Sequence, residues 1–198
     1  ALPADEVRAA IDGRLSIALV NTPTSCVVAG EADAVARFES TPAVRGRTRR
    51  IAVDQALHTP IVEPALGEFE EAFRQTRLAP PRIPIVSSAS GERLSDAEAT
   101  SVDYWTRHLR ATVKFSAALK FALALLPRSV LLEAGPRATL VTLARQHTPR
   151  PHAAISTLSD TPDSEVASWR KAFGQLWCEG VSLDLRQLDR RSRKQRLC

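Results

Sequence analysis

The stretch Val53-Asp54-Gln55-Ala56-Leu57-His58-Thr59-Pro60 decides how the rest of the chain is interpreted. His58 comes just after a β-type run and just before a Thr-Pro pair that opens an amphipathic segment. Functional side chains are often carried on loops that follow a rigid strand, and histidine is the commonest general base. We therefore interpret His58 as a candidate general base. Its position alone also fits a structural histidine, so the spacing does not decide between the two.

Size and composition are typical of a globular protein. The chain has 198 residues, 44% hydrophobic and 25% charged, and no apolar run approaches membrane-spanning length. The chain has three cysteines that are far apart in sequence: Cys26, Cys178 and Cys198. Their odd number and wide spacing favour reduced thiols in a cytoplasmic protein over a disulfide framework or a zinc site. The basic run at residues 190–196 has no interleaved aromatic residues, so we interpret it as a solvated linker and expect no nucleic-acid partner and no membrane.

Residues 1–53 have the pattern of a small α+β unit. The predicted order is helix, hairpin, helix, strand, with its elements at residues 3–11, 16–20, 25–29, 31–40 and 48–53. We place a turn at residues 21–24. One further strand before Ala1 would complete a ferredoxin-like βαββαβ subdomain. The missing strand and the absence of methionine lead us to expect a piece of a longer polypeptide.

From Pro60 onward the predicted elements become longer and alternate between helix and strand. Helices are predicted at residues 61–76, 103–109 and 115–126, and strands at residues 85–88, 130–133 and 153–157. Such alternation indicates a mostly parallel sheet covered by helices. We assign residues 54–157 to this large subdomain. Thr161-Pro162-Asp163 marks a boundary, and one more helix is predicted beyond it. We interpret the apolar stripe of that helix as a packing surface; its residues are Val166, Trp169, Phe173, Leu176 and Trp177.

Several familiar site patterns are absent from the sequence. No two histidines have the spacing of a helical metal-ligand pair, and there is no GxGxxG, no P-loop and no Gly-x-Ser-x-Gly. His147 and His152 flank Thr148-Pro149-Arg150-Pro151, which we predict to be an exposed connection of no functional importance. The nucleophile that a base such as His58 would serve is therefore not evident in these residues.

Four ordered motifs together resemble the second half of the acyltransferase domain of modular polyketide synthases, related to malonyl-CoA:acyl carrier protein transacylases. They are Leu19-Val20-Asn21-Thr22-Pro23 with Val27-Val28-Ala29-Gly30, then Gln55-Ala56-Leu57-His58-Thr59-Pro60, then Tyr104-Trp105-Thr106-Arg107-His108-Leu109-Arg110-Ala111-Thr112-Val113-Lys114-Phe115, and Leu132-Glu133-Ala134-Gly135-Pro136. The resemblance covers residues 1–157, and it implies that the large subdomain is part of an α/β-hydrolase-like fold. Residues 158–198 resemble the linker that follows such domains.

The resemblance also implies the roles of individual residues. In that family a serine in Gly-His-Ser-x-Gly attacks a CoA thioester, and a histidine at the position of His58 moves the proton. A backbone carbonyl, at the position of His108, orients that histidine, and Asn21 lies near the acyl or pantetheine group. The serine and a carboxylate-binding arginine lie upstream, so this chain alone is expected to be inactive. The implied substrates and partners are malonyl-CoA, the phosphopantetheine of an acyl carrier protein, the ketosynthase and the upstream half-domain. The resemblance implies no bound cofactor.

The motif Gln55-Ala56-Leu57-His58 departs from Tyr-Ala-Ser-His and His-Ala-Phe-His, the family's methylmalonyl and malonyl patterns. Leu57 occupies the position of the serine that, in the methylmalonyl pattern, leaves room for an α-methyl group. The larger side chain of Leu57 therefore favours malonyl over methylmalonyl. Gln55 matches neither pattern. Two other functions stay open at this point. One is a non-catalytic docking module of a synthase, and the other is a Ser-His thioesterase in which water accepts the acyl group.

Overall fold

The computed structural model describes residues 2–53 and 55–184, which fall into two compact units that divide between Leu125 and Leu126. The basic run at residues 190–196 and Cys198 lie outside the described residues. Of the remaining cysteines, Cys26 and Cys178 are free thiols. None of the helices in the described part of the chain is long and apolar enough to cross a membrane.

The first unit begins with a helix–hairpin–helix arrangement around its own core. Its elements are α1 (Ala4–Ala10), β1 (Leu15–Thr22), β2 (Ser25–Gly30) and α2 (Ala32–Ser40), and the two strands are antiparallel. Both helices present an apolar side to the hairpin, as helical periodicity requires. The buried core consists of Val7, Leu15, Ile17, Ala34, Phe38 and Val44.

Two local predictions for this region are wrong. Residues 48–53 are not a strand: they are exposed coil, because within the described chain no neighbouring strand offers them a hydrogen-bonding partner. The predicted turn at residues 21–24 is shorter, since β1 continues through Asn21 and Thr22 and only Pro23 and Thr24 form the turn. The register of β1 shifts between Val20 and Thr22, so Asn21 lies at a local irregularity of the ladder.

The rest of the first unit is helical. A 3₁₀ helix (Pro60–Ala65) leads into α3 (Leu66–Arg74), followed by α4 (Asp96–Ala99), α5 (Val102–Arg110) and α6 (Phe115–Leu125). The single helix predicted at residues 61–76 is thus divided, and Pro64, which lacks an amide hydrogen, lies in the 3₁₀ portion. α3 packs on α5 through the parallel rings of Phe73 and Trp105, whose centroids are 6.2 Å apart.

The strand predicted at residues 85–88 is also wrong, because only an isolated bridge between Val86 and Arg93 forms there. The segment is a tight loop held by Ser87, whose hydroxyl accepts from the amides of Ala89 and Ser90 and pairs with the hydroxyl of Tyr104. Gly91 closes the loop with a φ of 87°, a conformation that favours glycine.

The turn after α5 connects this helical part to the hairpin. Val113 exchanges two backbone hydrogen bonds of 2.8 Å with β1, donating to Ala18 O and accepting from Val20 N. The hydroxyl of Thr112 donates to Ile17 O at 2.8 Å. The outer edge of β1 is therefore paired with the turn that ends α5, which fixes that turn against a rigid strand.

The second unit is a small α/β layer. β3 (Val130–Glu133) and β4 (Ala153–Ser156) pair in parallel, α7 (Thr139–Ala144) lies between them in sequence, and a 3₁₀ helix (Pro162–Ser164) precedes α8 (Glu165–Cys178). Ala172 and Leu176 of α8 are buried against Ile155 of β4. The carboxylate of Glu133 accepts from the amides of Leu140 and Val141, so it caps the start of α7.

The described residues contain two separate two-stranded sheets, one antiparallel and one parallel. The expected mostly parallel sheet is therefore represented only by β3 and β4, since the strands at residues 48–53 and 85–88 do not form. The apolar stripe of α8 also packs only partly: Leu176 is buried, whereas the side chain of Trp177 is 64% exposed.

Replacing Gly30 by alanine should destabilise the first unit by about 1–3 kcal/mol. A Cβ at Gly30 would overlap the carbonyl oxygen of Arg14 and lie 2.8 Å from Leu15 Cδ2, so the end of the hairpin must shift. Urea unfolding measures the loss, and amide hydrogen exchange of β1 and β2 locates it. Gly13→Ala is the matched control, because a Cβ at Gly13 meets nothing within 4 Å. Equal stability of the two variants would contradict the prediction.

Candidate active site

His58 lies in a turn whose two ends are tied together by the next residue. The hydroxyl of the buried Thr59 donates to Ala56 O at 2.6 Å and accepts from the amide of Ile61 at 3.2 Å. Thr59 thereby caps the 3₁₀ helix that begins at Pro60, a position where threonine is favoured. The Thr-Pro pair in the sequence is the local signal for this turn.

The backbone of His58 has a φ of 62°, in the left-handed region that non-glycine residues rarely adopt. Strained backbone of this kind persists where surrounding contacts determine it, and such positions cluster at functional sites. The contacts come from α5: the amide of His58 donates to Leu109 O at 3.2 Å. Leu109 is in the last turn of α5, where carbonyls have no partner within the helix.

The ring of His58 is held by the same turn. Its Nδ1 lies 2.9 Å from the carbonyl oxygen of Ala111. This corrects the expectation that His108 supplies the orienting carbonyl, because the acceptor is three residues further along, at the C-cap residue that follows α5. The kind of group is a backbone carbonyl as expected, but a motif of side chains does not reveal which carbonyl of a helix end reaches the ring.

This hydrogen bond determines the tautomer of His58. A carbonyl oxygen only accepts, so Nδ1 carries the proton of the neutral ring and Nε2 keeps its lone pair. The half-buried ring can therefore receive a proton at Nε2 while Nδ1 stays fixed. This is the arrangement that a general base requires.

The side chain of His108 lies beside that of His58. The ring centroids are 6.4 Å apart with an angle of 77° between the planes, and His108 Nε2 is 3.2 Å from the hydroxyl of Ser88. Burial lowers the pKa of His108 from its ordinary value, and the nearby His58 lowers it further because two imidazolium charges would repel. Nothing in the sequence around Ser88 pointed to this contact.

The three predicted substrate-contacting residues lie in different parts of the first unit. Gln55 and Leu57 precede His58 in the same coil and turn, with the side chain of Leu57 42% exposed. Asn21 is half-buried near the end of β1, beside Val20, whose amide donates to Val113 O. The segment that carries Gln55 and Leu57, through His58, and the end of β1 that carries Asn21, through Val20, therefore both contact the turn that follows α5.

The two remaining histidines are in the second unit. The prediction that His147 lies in an exposed connection is wrong: it is only 1% exposed, and its Nδ1 lies 3.0 Å from Leu143 O at the end of α7. His152 is exposed as expected and lies 3.0 Å from a carboxylate oxygen of Glu179. Within the described residues, no group of three or more potential metal ligands occurs.

The model of the acyl transferase domain family matches residues 1–175 of the chain. A phenolphthiocerol/phthiocerol polyketide synthase protein from Mycobacterium tuberculosis is 31% identical over 192 residues, covering 93% of this chain. Among solved structures, the acyl transferase domain of SpnD, in complex with 2-(pent-4-yn-1-yl)malonyl, superposes with a TM-score of 0.84 at 34% identity over 91% of this chain. The acyltransferase domain of the second module of the salinomycin polyketide synthase gives 0.80 at 32% identity over 93% of this chain.

The chain spans only part of each of these proteins: 13% of the mycobacterial synthase, 45% of the SpnD domain and 44% of the salinomycin domain. The mixed α/β fold with small sheets agrees with that of the solved domains. The resemblance carried by the four sequence motifs is confirmed. This chain belongs to the acyl transferase domain family and is related to the acyltransferase domains of polyketide synthases.

Proposed function

We propose that this chain is the C-terminal part of a polyketide synthase acyltransferase domain. The complete domain would move a malonyl-type unit from CoA to the phosphopantetheine thiol of an acyl carrier protein in the cytoplasm. In this proposal residues 1–53 belong to a ferredoxin-like small subdomain, residues 54–157 to an α/β-hydrolase-like large subdomain, and residues 158–198 to the linker that follows, toward the ketosynthase.

The observation that carries the proposal is the hydrogen bond from His58 Nδ1 to Ala111 O. It leaves Nε2 as the base for a serine hydroxyl supplied by the upstream half of the domain. The serine oxygen attacks the thioester carbonyl as its proton passes to Nε2. The tetrahedral intermediate then expels the CoA thiolate, which takes the proton back from His58, and the acyl group remains on the serine.

The second half of the reaction uses the same imidazole. His58 Nε2 accepts the proton of the phosphopantetheine thiol, and the resulting thiolate attacks the acyl-serine carbonyl. When that intermediate collapses, the serine oxygen leaves and recovers the proton from His58. No cofactor is needed, because each half-reaction exchanges one ester or thioester bond for another.

Two groups of this mechanism would come from the upstream half: the serine nucleophile and the arginine that pairs with the free carboxylate of the extender unit. A chain without them is expected to be inactive by itself. Asn21, near the end of β1, is proposed to line the cleft close to the acyl or pantetheine group.

Leu57 and Gln55 are proposed to shape the part of the acyl pocket next to the base. Leu57 immediately precedes His58 in the same turn, and its side chain is only partly covered by the described residues. A branched side chain there would occupy the space of an α-methyl group, so malonyl is preferred over methylmalonyl.

Replacing His58 by glutamine in the full-length synthase polypeptide should lower acyl transfer by about 10²–10⁴-fold, because a carboxamide cannot take the serine proton. Mass spectrometry of the acyl-enzyme and of the acylated carrier protein, with malonyl-CoA as donor, measures both half-reactions.

His152→Gln is the matched control, since His152 is an exposed histidine of the second unit, and it should transfer at the wild-type rate. A His58→Gln variant within threefold of wild type would contradict the proposal. A synthase that transfers no acyl group in wild-type form would favour a docking module, and release of free malonate without acylation of the carrier would favour a thioesterase.

Leu57→Ser should raise the ratio of kcat/KM for methylmalonyl-CoA to that for malonyl-CoA by roughly 10-fold or more, the effect of making room for one methyl group. Competition between the two donors for the same synthase measures the ratio directly. Ile83→Ser is the control, because Ile83 is also an exposed aliphatic residue, 78% accessible, but lies outside the turn that carries His58. An unchanged ratio in Leu57→Ser would contradict the assignment.

A further inference from the structure

We propose that His108 is a positioning residue for His58: its imidazole, anchored by Ser88, fixes the plane of the His58 ring. This inference rests on the proposed function, in which His58 is the base. It assigns to the side chain of residue 108 a task that is separate from the backbone carbonyl at Ala111.

The His58 ring needs a second support. The bond from Nδ1 to Ala111 O fixes one atom, but the ring can still tilt about the direction of that bond. Nε2 lies on the other side of the ring, so a small tilt displaces the atom that must meet the serine hydroxyl. A displacement of about 1 Å at a reacting group can lower the rate by about 10²-fold.

His108 provides a rigid surface at this position. Its ring meets that of His58 at an angle of 77°, in the edge-to-face arrangement that aromatic rings prefer. Tyr104 and Trp105 are further aromatic neighbours of the His108 ring, with centroids 6.1 Å and 5.9 Å away. The half-buried ring of His108 therefore packs against aromatic residues of its own helix as well as against His58.

Ser88 determines the orientation of His108. Its hydroxyl is 3.2 Å from His108 Nε2, and its carbonyl accepts from the amide of Lys114 at 2.6 Å. Lys114 belongs to the same turn as Ala111. Ser88, which binds His108, and Ala111 O, which binds His58, are thus connected through the short backbone segment from Ala111 to Lys114. The relative orientation of the two rings is therefore fixed.

The charge state of His108 supports this role. Burial and the nearby His58 both lower the pKa of His108, which favours the neutral ring over the charged one. A neutral ring can lie against the imidazolium that forms on His58 during the reaction without repelling it. The same neighbour in its charged form would oppose each proton transfer to His58.

His108→Ala in the full-length synthase polypeptide should lower kcat by roughly 10–100-fold and leave KM for malonyl-CoA within about threefold, because the loss is in alignment of the base. His108→Gln should recover most of kcat, since its flat carboxamide is neutral and can keep the bond to Ser88. His152→Gln is again the control. A kcat of His108→Ala within threefold of wild type would overturn the inference.

Coupling between the two anchoring residues is tested by a double-mutant cycle. Ser88→Ala should lower kcat by a smaller factor than His108→Ala, and adding it to His108→Ala should cause no further loss, because Ser88 acts through His108. Fully additive losses would show that the two side chains act independently and would overturn the role given to Ser88.

A readout that does not depend on activity separates this inference from the proposed function. In this chain with ¹⁵N-labelled histidine, solvent exchange of the His58 Nδ1 proton should be faster in His108→Ala than in wild type or His152→Gln. Unchanged exchange would overturn the inference even if the synthase is active. If wild-type synthase transfers no acyl group, the proposed function fails, while this measurement still decides whether His108 holds the ring.

Discussion

The backbone carbonyls at the end of α5 hold the site together. Leu109 O and Ala111 O both accept from His58, one from its amide and one from its ring. The next three residues also bind other segments: Thr112 and Val113 form hydrogen bonds with β1, and Lys114 forms one with Ser88. Three segments that are far apart in sequence therefore meet at one turn, and a shift of that turn would move the proposed base, the hairpin and the loop around Ser88 together.

The left-handed backbone of His58 follows from this junction. The last carbonyls of a helix have no partner within it, so they are available to accept from another segment. For His58 to satisfy two of them, its amide and its Nδ1 must face the same helix end, which a φ of 62° accommodates. The strain of this conformation is offset by the two hydrogen bonds, together with the bonds of Thr59 to Ala56 and Ile61 on either side.

Sequence patterns predicted those parts of the fold that depend on neighbouring residues. The hairpin of β1 and β2, the helices and the Thr59 cap all have local signals, and they form. Residues 48–53 have the composition of a strand but remain coil, since pairing depends on a partner that local composition does not specify. His58 could be singled out because its Thr-Pro context and motif are local. Its contacts with Ala111 and His108, and the burial of His147, depend on how helix ends pack, which side-chain patterns do not encode.

In the proposed function, the residues of this turn that affect the rate of transfer differ from the residue that affects the choice of substrate. His58 is bonded to the backbone carbonyls of Leu109 and Ala111. The hydroxyl of Thr59 closes the turn around it through Ala56 O and the amide of Ile61, and none of these bonds involves the side chain of Leu57. In the proposed function, residue 57 can therefore change in size and alter the acyl pocket while the backbone at residue 58 keeps its position. The side chain of residue 108 is different, because its ring lies edge to face with the ring of His58. Variation at residue 57 should thus change which substrate is accepted, whereas variation at residue 108 should change how fast any substrate reacts.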